Sequence, residues 1–415
     1  MHAYIRFIKL DIWTQRICLL GAFLLIGKLL YLLFFDVHIH AIEDWYIAQN
    51  LTDGKGYILH QQDTALKTPI YPLFLTFFAL LPDITGKLLA SATQHILFYI
   101  ADLLLMWAIT IRFGRAFGNI VGLLFLLHPA YFYYPFILES TALTVPLSVV
   151  YILLVIQYLQ QQYKVNNWLR YIIGWIIALC QPIFFPLICM SMIIKRKTDS
   201  YTTLIMPIII TFLIVFSPWI YRNTLVFHSI VVFKSPFWMN IYEGFYPSPG
   251  IPSTYISIEN QKSIDSLRQT NNDFEMEKYY KPIVMNAISD YPKEYALLSI
   301  DRFKQFWTIP HRYDDRIFSL PIITSRLIPQ FLLSTGVLIS TILLYKQFKK
   351  SNYSIVYFHV FLLFSVLYVS IIYSLTQSSN IRFKLDIEWI ELLLLYPLFE
   401  YISVDILKKK NTRLN

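Results

Sequence analysis

The stretch WLRYIIGWIIALCQPIFFPLICMSMII, residues 168–194, decides how the chain is threaded, because its two readings give opposite topologies for everything after it. One helix of about 27 residues, at 1.5 Å per residue, would carry Lys195, Arg196 and Lys197 across a membrane. Two short helices meeting near Gln181-Pro182 return that basic cluster to the side it came from. The hairpin also keeps every later basic cluster on one side: Lys346, Lys349 and Lys350, then Lys408, Lys409, Lys410 and Arg413. Excess Lys and Arg marks the cytoplasmic face, so the hairpin is preferred.

Outward from that hairpin, the other apolar runs fall into place. Residues 17–35 make a first span of about 19 residues, with Arg6, Lys9 and Arg16 before it and no small-residue cleavage site after it. Its N-terminus is therefore expected in the cytoplasm, and Lys28 inside it either snorkels or faces other helices. Residues 69–81 are apolar but only about 13 long, too short to cross, and read as an interfacial or re-entrant helix. Full-length runs follow at 88–111, 116–134 and 137–159, with Arg112 and Arg115 at a cytoplasmic turn. Further spans are expected at 201–220, 320–345, 355–375 and 385–407. The sum is an all-α polytopic membrane protein with about ten transmembrane helices and both ends cytoplasmic.

Three regions result. Residues 1–221 form an N-terminal transmembrane module whose first loop, 36–87, faces outward. Residues 222–318 form an extracytoplasmic polar domain, turn-rich over 246–252 and helically spaced over 272–307. Residues 319–415 carry the last spans and a basic tail. No internal repeat or low-complexity segment is evident, which disfavours an inverted-repeat transporter.

Composition agrees. Of 415 residues, 56% are hydrophobic, 17% aromatic and only 15% charged, against roughly 25% charged in soluble proteins. With a mean hydropathy of +0.51, this excludes a single soluble domain, a disordered chain and a fibre. The net charge of +9 comes largely from basic residues beside apolar runs, where they set orientation, so a nucleic-acid partner is discounted. Cys18, Cys180 and Cys189 all lie in apolar stretches and offer no disulfide framework.

The first loop is the informative region. It holds Glu43-Asp44-Trp45-Tyr46-Ile47-Ala48-Gln49, then Gly54-Lys55-Gly56-Tyr57, then Lys67-Thr68-Pro69-Ile70-Tyr71-Pro72. Paired carboxylates beside a membrane, followed by a cation at the mouth of a re-entrant helix, suit transfer between a polar acceptor and a lipid-borne phosphate. A carboxylate takes the proton of an attacking hydroxyl, and the cation stabilises charge on the departing phosphate. From composition alone, a cap or a solvated face of a loop helix is the plainer reading of Glu43 and Asp44. Glu139 is costly at the end of a span unless it meets water, a cation or a proton, though it also fits a solvated helix start. Arg222 and Arg382 each sit where a span meets the outer face, which suits a shared phosphate or ordinary lipid head groups. Asp102, inside a span, marks a polar interior or pairs with a neighbouring helix. His38 and His40 alternate as strand neighbours and with Asp44 offer three metal ligands, but no fourth is evident and interfacial histidines are the plainer reading. His311 to Asp315 read as solvated charges.

The order of acid, Tyr-Ile-Ala, Gly-Lys-Gly-Tyr and Thr-Pro-Ile-Tyr-Pro resembles the first extracytoplasmic loop of the polytopic GT-C glycosyltransferases. That superfamily includes the protein O-mannosyltransferases and the lipid A aminoarabinose transferase. Three further signatures are similar to those of its shorter bacterial members: His128-Pro129 with Glu139-Ser140, Pro218-Trp219-Ile220-Tyr221-Arg222-Asn223, and Arg382-Phe383-Lys384-Leu385. The resemblance implies a GT-C-like bundle and transfer of a sugar from a polyprenyl-phosphate donor, with inversion. The acceptor would be the hydroxyl of a glycolipid, a cell-wall polymer or a protein, on the outer face of a bacterial cytoplasmic membrane. It implies Asp44 as general base with Glu43 as its rival, Glu139 as a second acidic site, and Lys67 on the lipid phosphate. Tyr71, Arg222 and Arg382 would complete the substrate contacts, and no cofactor is implied. Many relatives have Arg-Pro where this chain has Gln181-Pro182. No Walker or Rossmann pattern is present. The rival class is a non-catalytic lipid-linked glycan transporter or export component.

Overall fold

The computed structural model describes residues 11–35, 39–160, 167–194, 201–245, 264, 266–307, 316–317, 320–321, 327–347, 353–376 and 381–403. His38, the turn-rich 246–252, 311–315 and the basic clusters at 195–197, 349–350 and 408–413 lie outside the described residues.

The chain is mostly helical. In order it runs α1 (Ile12–Phe34), β1 (His40–Ala41), α2 (Glu43–Thr52), β2 (Ile58–Leu59), β3 (Gln62–Asp63), α3 (Ile70–Ala79), α4 (Asp83–Phe113), α5 (Arg115–Leu126), α6 (Pro129–Tyr133), β4 (Ile137–Leu138) and α7 (Thr141–Gln160). There follow α8 (Asn167–Cys180), α9 (Phe185–Met192), α10 (Tyr201–Phe227), α11 (Phe237–Glu243), α12 (Asp273–Asp290), α13 (Pro292–Trp307), β5 (Arg316–Ile317), β6 (Leu320–Pro321), α14 (Ile328–Gln347), α15 (Tyr353–Thr376) and α16 (Ile381–Leu393). Six of these, α1, α4, α7, α10, α14 and α15, are long and apolar enough to cross a bilayer. α5 and the following turn make a seventh if that pair, bent by 55°, is one span. The molecule is a polytopic membrane protein.

The deciding stretch breaks where expected. α8 ends at Cys180, a 3₁₀ turn covers Pro182–Phe184, and α9 then runs to Met192. α9 folds back on α8: a Cβ placed at Gly174 would lie 2.5 Å from Met192 Cε and 3.0 Å from Ile188 Cγ2. A continuous helix would instead hold residues 174 and 192 roughly 27 Å apart. The two arms have 14 and 8 residues, short of a full crossing each, which is one reason fewer helices qualify as spans than the ten expected. The other is α16. The apolar run read at 385–407 is entered by a helix carrying Lys384, Asp386, Glu388 and Glu391, all at most 3% exposed.

Two devices place the first loop. β1 pairs in parallel with β4, matching His40 with Ile137 and Ala41 with Leu138, so the chain just before Asp44 lies beside the chain just before Glu139. α2 is then fixed by Trp45, fully buried, whose indole donates to Asp83 Oδ1 at 2.9 Å at the start of α4. α3 is the short apolar helix expected at 69–81. It buries Tyr71, Pro72 and Leu75 against the loop and leaves Leu73, Phe77 and Leu80 exposed, which suits a helix lying against lipid. At the α3–α4 elbow there is no room beside Gly86, where a Cβ would strike the Phe78 carbonyl oxygen and lie 3.0 Å from the Trp45 ring. Gly86→Ala should therefore destabilise by about 1–3 kcal/mol, read as a lower apparent melting temperature in detergent, whereas Gly27→Ala, with open space around it, should not.

The polar domain grips the same loop from the other side. Ser235 bridges Ala65 in antiparallel fashion. α12 opens with an Asn272 capping box, and Asp273 turns inward to accept from Thr64 Oγ1 at 2.7 Å and from the Ala65 N–H. Burial pushes the Asp273 carboxyl up to about 6, against the lowering effect of the Thr64 and Ala65 hydrogen bonds and of Arg268. A carboxyl raised in the folded state favours folding while protonated, so its contribution is complete below pH ~4 and is lost as pH rises through about 6. The expected loss between pH 4 and pH 7 is roughly 2 kcal/mol. Asp273→Asn keeps an acceptor oxygen and does not titrate, so its melting temperature relative to wild type should climb across that range. A flat difference would show that Asp273 does not titrate there.

Candidate active site

α2 starts at Glu43 with no side-chain cap, so Glu43 and Asp44 occupy its first turn, where carboxylates are favoured by unsatisfied N–H groups and the helix dipole. Helix placement and site chemistry thus coincide at these two residues. Asp44 is 2% exposed, and the Glu43 side chain is 36% exposed. Lys67, from the far end of the loop, reaches back between them, with Nζ 3.4 Å from Glu43 Oε2 and 3.6 Å from Asp44 Oδ2. The loop that makes this possible turns at Gly54 and Gly56, with φ of 73° and 93°, a region that favours glycine.

Around this triad three more segments converge. Tyr71, on α3, lies in the field of both Asp44 and Glu139, and its hydroxyl donates to Gln94 Oε1 at 2.5 Å on α4. Glu139, 8% exposed at the end of β4, accepts from the Tyr134 hydroxyl. The α8–α9 break arrives beside it: Gln181 Nε2 donates to Ser140 Oγ at 3.0 Å, and the Cys180 carbonyl accepts from Thr68 Oγ1 at 2.9 Å. Gln181 therefore serves to dock the hairpin against the residue next to Glu139. The Cys180 thiol lies in the field of both Asp386 and Asp44, which brings α16 to the same centre.

Tyr57 closes the loop. Its hydroxyl donates to the Lys67 carbonyl at 3.0 Å, and burial, followed by the Asp44 charge, holds the phenol well above its ordinary value. Its ring meets Trp219 edge-on at 5.2 Å.

Of the residues singled out in the sequence, Glu43, Asp44, Lys67, Tyr71 and Glu139 are brought together. Arg222 takes a different place. Its guanidinium donates to the carbonyls of Thr64 at 2.7 Å and Tyr57 at 2.9 Å, and to Asp63 Oδ1 at 3.0 Å. It braces the loop against the end of α10, with Trp219 from the same motif. The Arg382 side chain lies outside the described residues, and His40 falls in β1. In the sequence Tyr57, Thr68 and Lys384 stand within the quoted motifs but were given no role, and Asp386, Glu388 and Glu391 were not singled out. Thr68 and Tyr57 have no spacing signal, since their roles come from folding the loop onto itself.

α16 is buried on every described face. The Tyr131 hydroxyl is inserted into its ladder, donating to the Leu385 carbonyl at 2.8 Å and accepting from the Trp389 N–H at 2.8 Å. Glu388 lies 3.6 Å from His128 Nε2, and Lys384 pairs with Glu391 at 3.2 Å. The His128-Pro129 segment and the Arg382-Phe383-Lys384-Leu385 segment, distant in sequence, thus meet. Comparison with family models, with curated proteins and with solved structures returned no match.

Proposed function

We propose that this chain is a membrane glycosyltransferase that moves a sugar from a polyprenyl-phosphate donor to an acceptor hydroxyl, at a site facing the extracytoplasmic side. The observation that carries it is the contact of Lys67 with both Glu43 and Asp44, since it joins a cation, three residues before the apolar helix α3, to a buried carboxylate. Asp44 takes the proton of the acceptor hydroxyl, and the acceptor oxygen attacks the anomeric carbon. The bond from that carbon to the phosphate oxygen breaks, and its electron pair leaves on the phosphate, where Lys67 meets the charge. A carboxylate facing positive charge that builds on the sugar ring is the role given to Glu139, with Tyr71 in the field of both acids. Attack opposite the phosphate inverts the anomeric centre.

Arg222 is given a supporting part, because its donors are committed to the loop carbonyls that fix Lys67 in place. The test is label transfer: purified protein in lipid, radiolabelled polyprenyl-phosphate sugars and a crude membrane fraction as acceptor. Transfer to a membrane component is the expected result. Donor that copurifies with the protein but is never turned over would instead indicate a transporter of lipid-linked glycan.

A further inference from the structure

α1, α4 and α5, with Tyr131, line a small, partly open cavity of about 30 Å³ to which no first-loop residue contributes. Its walls combine Gly21, Phe98 and Phe125 with Lys28, His95 and Asp102. Asp102 is 1% exposed and His95 2%, and neither the carboxylate oxygens of the one nor the ring nitrogens of the other have a hydrogen-bond partner among the described residues. His95 and Asp102, two turns apart on α4, share a face. Lys28 enters from α1 with its ammonium 3.9 Å over the Phe132 ring, and among the described residues no carboxylate lies within ion-pair distance of it.

Of the other groups facing Asp102, Cys18 on α1 lies in its field, and the Tyr99 hydroxyl on α4 donates to the Cys18 carbonyl at 2.9 Å. The Tyr131 hydroxyl, from the segment after α5, is engaged with α16. Lys28, His95 and Asp102 are therefore the groups open to a ligand.

Ionisable side chains inside an apolar bundle are costly unless they meet a partner, water or a proton. The cavity exceeds the roughly 10–15 Å³ that one water needs, and an ammonium, an imidazole and a carboxyl provide the two to four polar partners for water there. The ammonium disfavours a metal cation, and the carboxylate disfavours an anion. A proton suits all three groups. Moving it from the Lys28 ammonium through water to the Asp102 carboxylate leaves a neutral amine and a neutral acid, with no change in total charge, and either His95 nitrogen can hold the same proton in transit. Cys18 and Thr14 on α1, and Asp11 that caps it, continue from the cavity toward that helix's N-terminal end, where Thr14 Oγ1 donates to Asn119 Oδ1 at 2.8 Å. We propose that this cavity is a proton-binding site in which one proton is shared by Lys28, His95 and Asp102 through water.

The test is infrared difference spectroscopy of the full chain in lipid, titrated in D₂O buffers. The expected result is a carboxylic-acid carbonyl band whose amplitude varies with pD, which Asp102→Asn abolishes. Lys28→Met leaves Asp102 in place and should change the pD dependence of that band, so the measurement does not depend on the Asp102 variant folding. His95→Gln should change it as well. An Asp102-dependent band absent at every pD, or one whose titration ignores both Lys28→Met and His95→Gln, overturns the proposal. Neither outcome bears on label transfer at the first loop.

Discussion

Asp44→Asn should lower sugar transfer by about 10²–10⁴-fold while leaving donor binding close to wild type. The amide matches the carboxylate in shape, so Trp45 beside it and the β1–β4 pairing need not move. What it loses is the capacity to accept the acceptor's proton, which at that fold-change is worth about 3–5 kcal/mol of activation free energy. Lys67 keeps a carboxylate, since Glu43 remains 3.4 Å from its ammonium, and so stays where the donor phosphate would find it. Glu43→Gln is the matching control. Glu43 is more than a third exposed whereas Asp44 is almost wholly buried, and a base is strengthened by exclusion of water, so the Glu43 variant should lose far less. Transfer rates from labelled donor, with binding measured separately by copurified lipid, separate these cases. Equal losses from both variants would mean that the acids act as a unit, and an active Asp44→Asn protein would remove Asp44 from the chemistry.

Much of this arrangement is legible in the sequence because it follows from short-range rules. The span boundaries come from apolar length, and the break near Gln181-Pro182 was expected from the basic residues that must return to one side. The convergence of Glu43, Asp44 and Lys67 is different in kind. Nothing local brings residue 67 back to residue 44, which are joined by a loop whose closure depends on two left-handed glycines, on Tyr57 reaching the Lys67 carbonyl, and on Arg222 from a helix beyond residue 200. Glu139 arrives by a third route, the two-residue parallel pairing of β1 with β4, too short to leave any alternating pattern. α16 shows the opposite failure. Its charges were visible in the sequence, but they interrupt the start of an apolar run and read as the edge of a span, whereas the fold buries them against His128, Gln330 and Trp307. Arg222 marks the limit of reading a role from position. A cation at the end of a span suits a phosphate, yet three acceptors on one loop take its donors instead.

Lys67→Met carries the second large expectation, because in the proposed reading Lys67 serves stability and substrate together. Removing the ammonium leaves the Asp44 carboxylate, 2% exposed, without the cation 3.6 Å away. Breaking a fully buried pair costs about 3–5 kcal/mol, and the 18% exposure of the Lys67 side chain places this one below that range. The apparent melting temperature should fall accordingly, and the double variant Lys67→Met/Asp44→Asn should recover most of it, since no buried charge is then left behind. Donor binding should not recover. A charge-assisted contact to phosphate is worth about 1.5–3 kcal/mol, so both the single and the double variant should bind polyprenyl phosphate about 10- to 100-fold more weakly than wild type. Stability and affinity therefore part company in the double variant. A protein in which both return together would have used Lys67 only to neutralise Asp44, and the lipid phosphate would then have to be held by another cation.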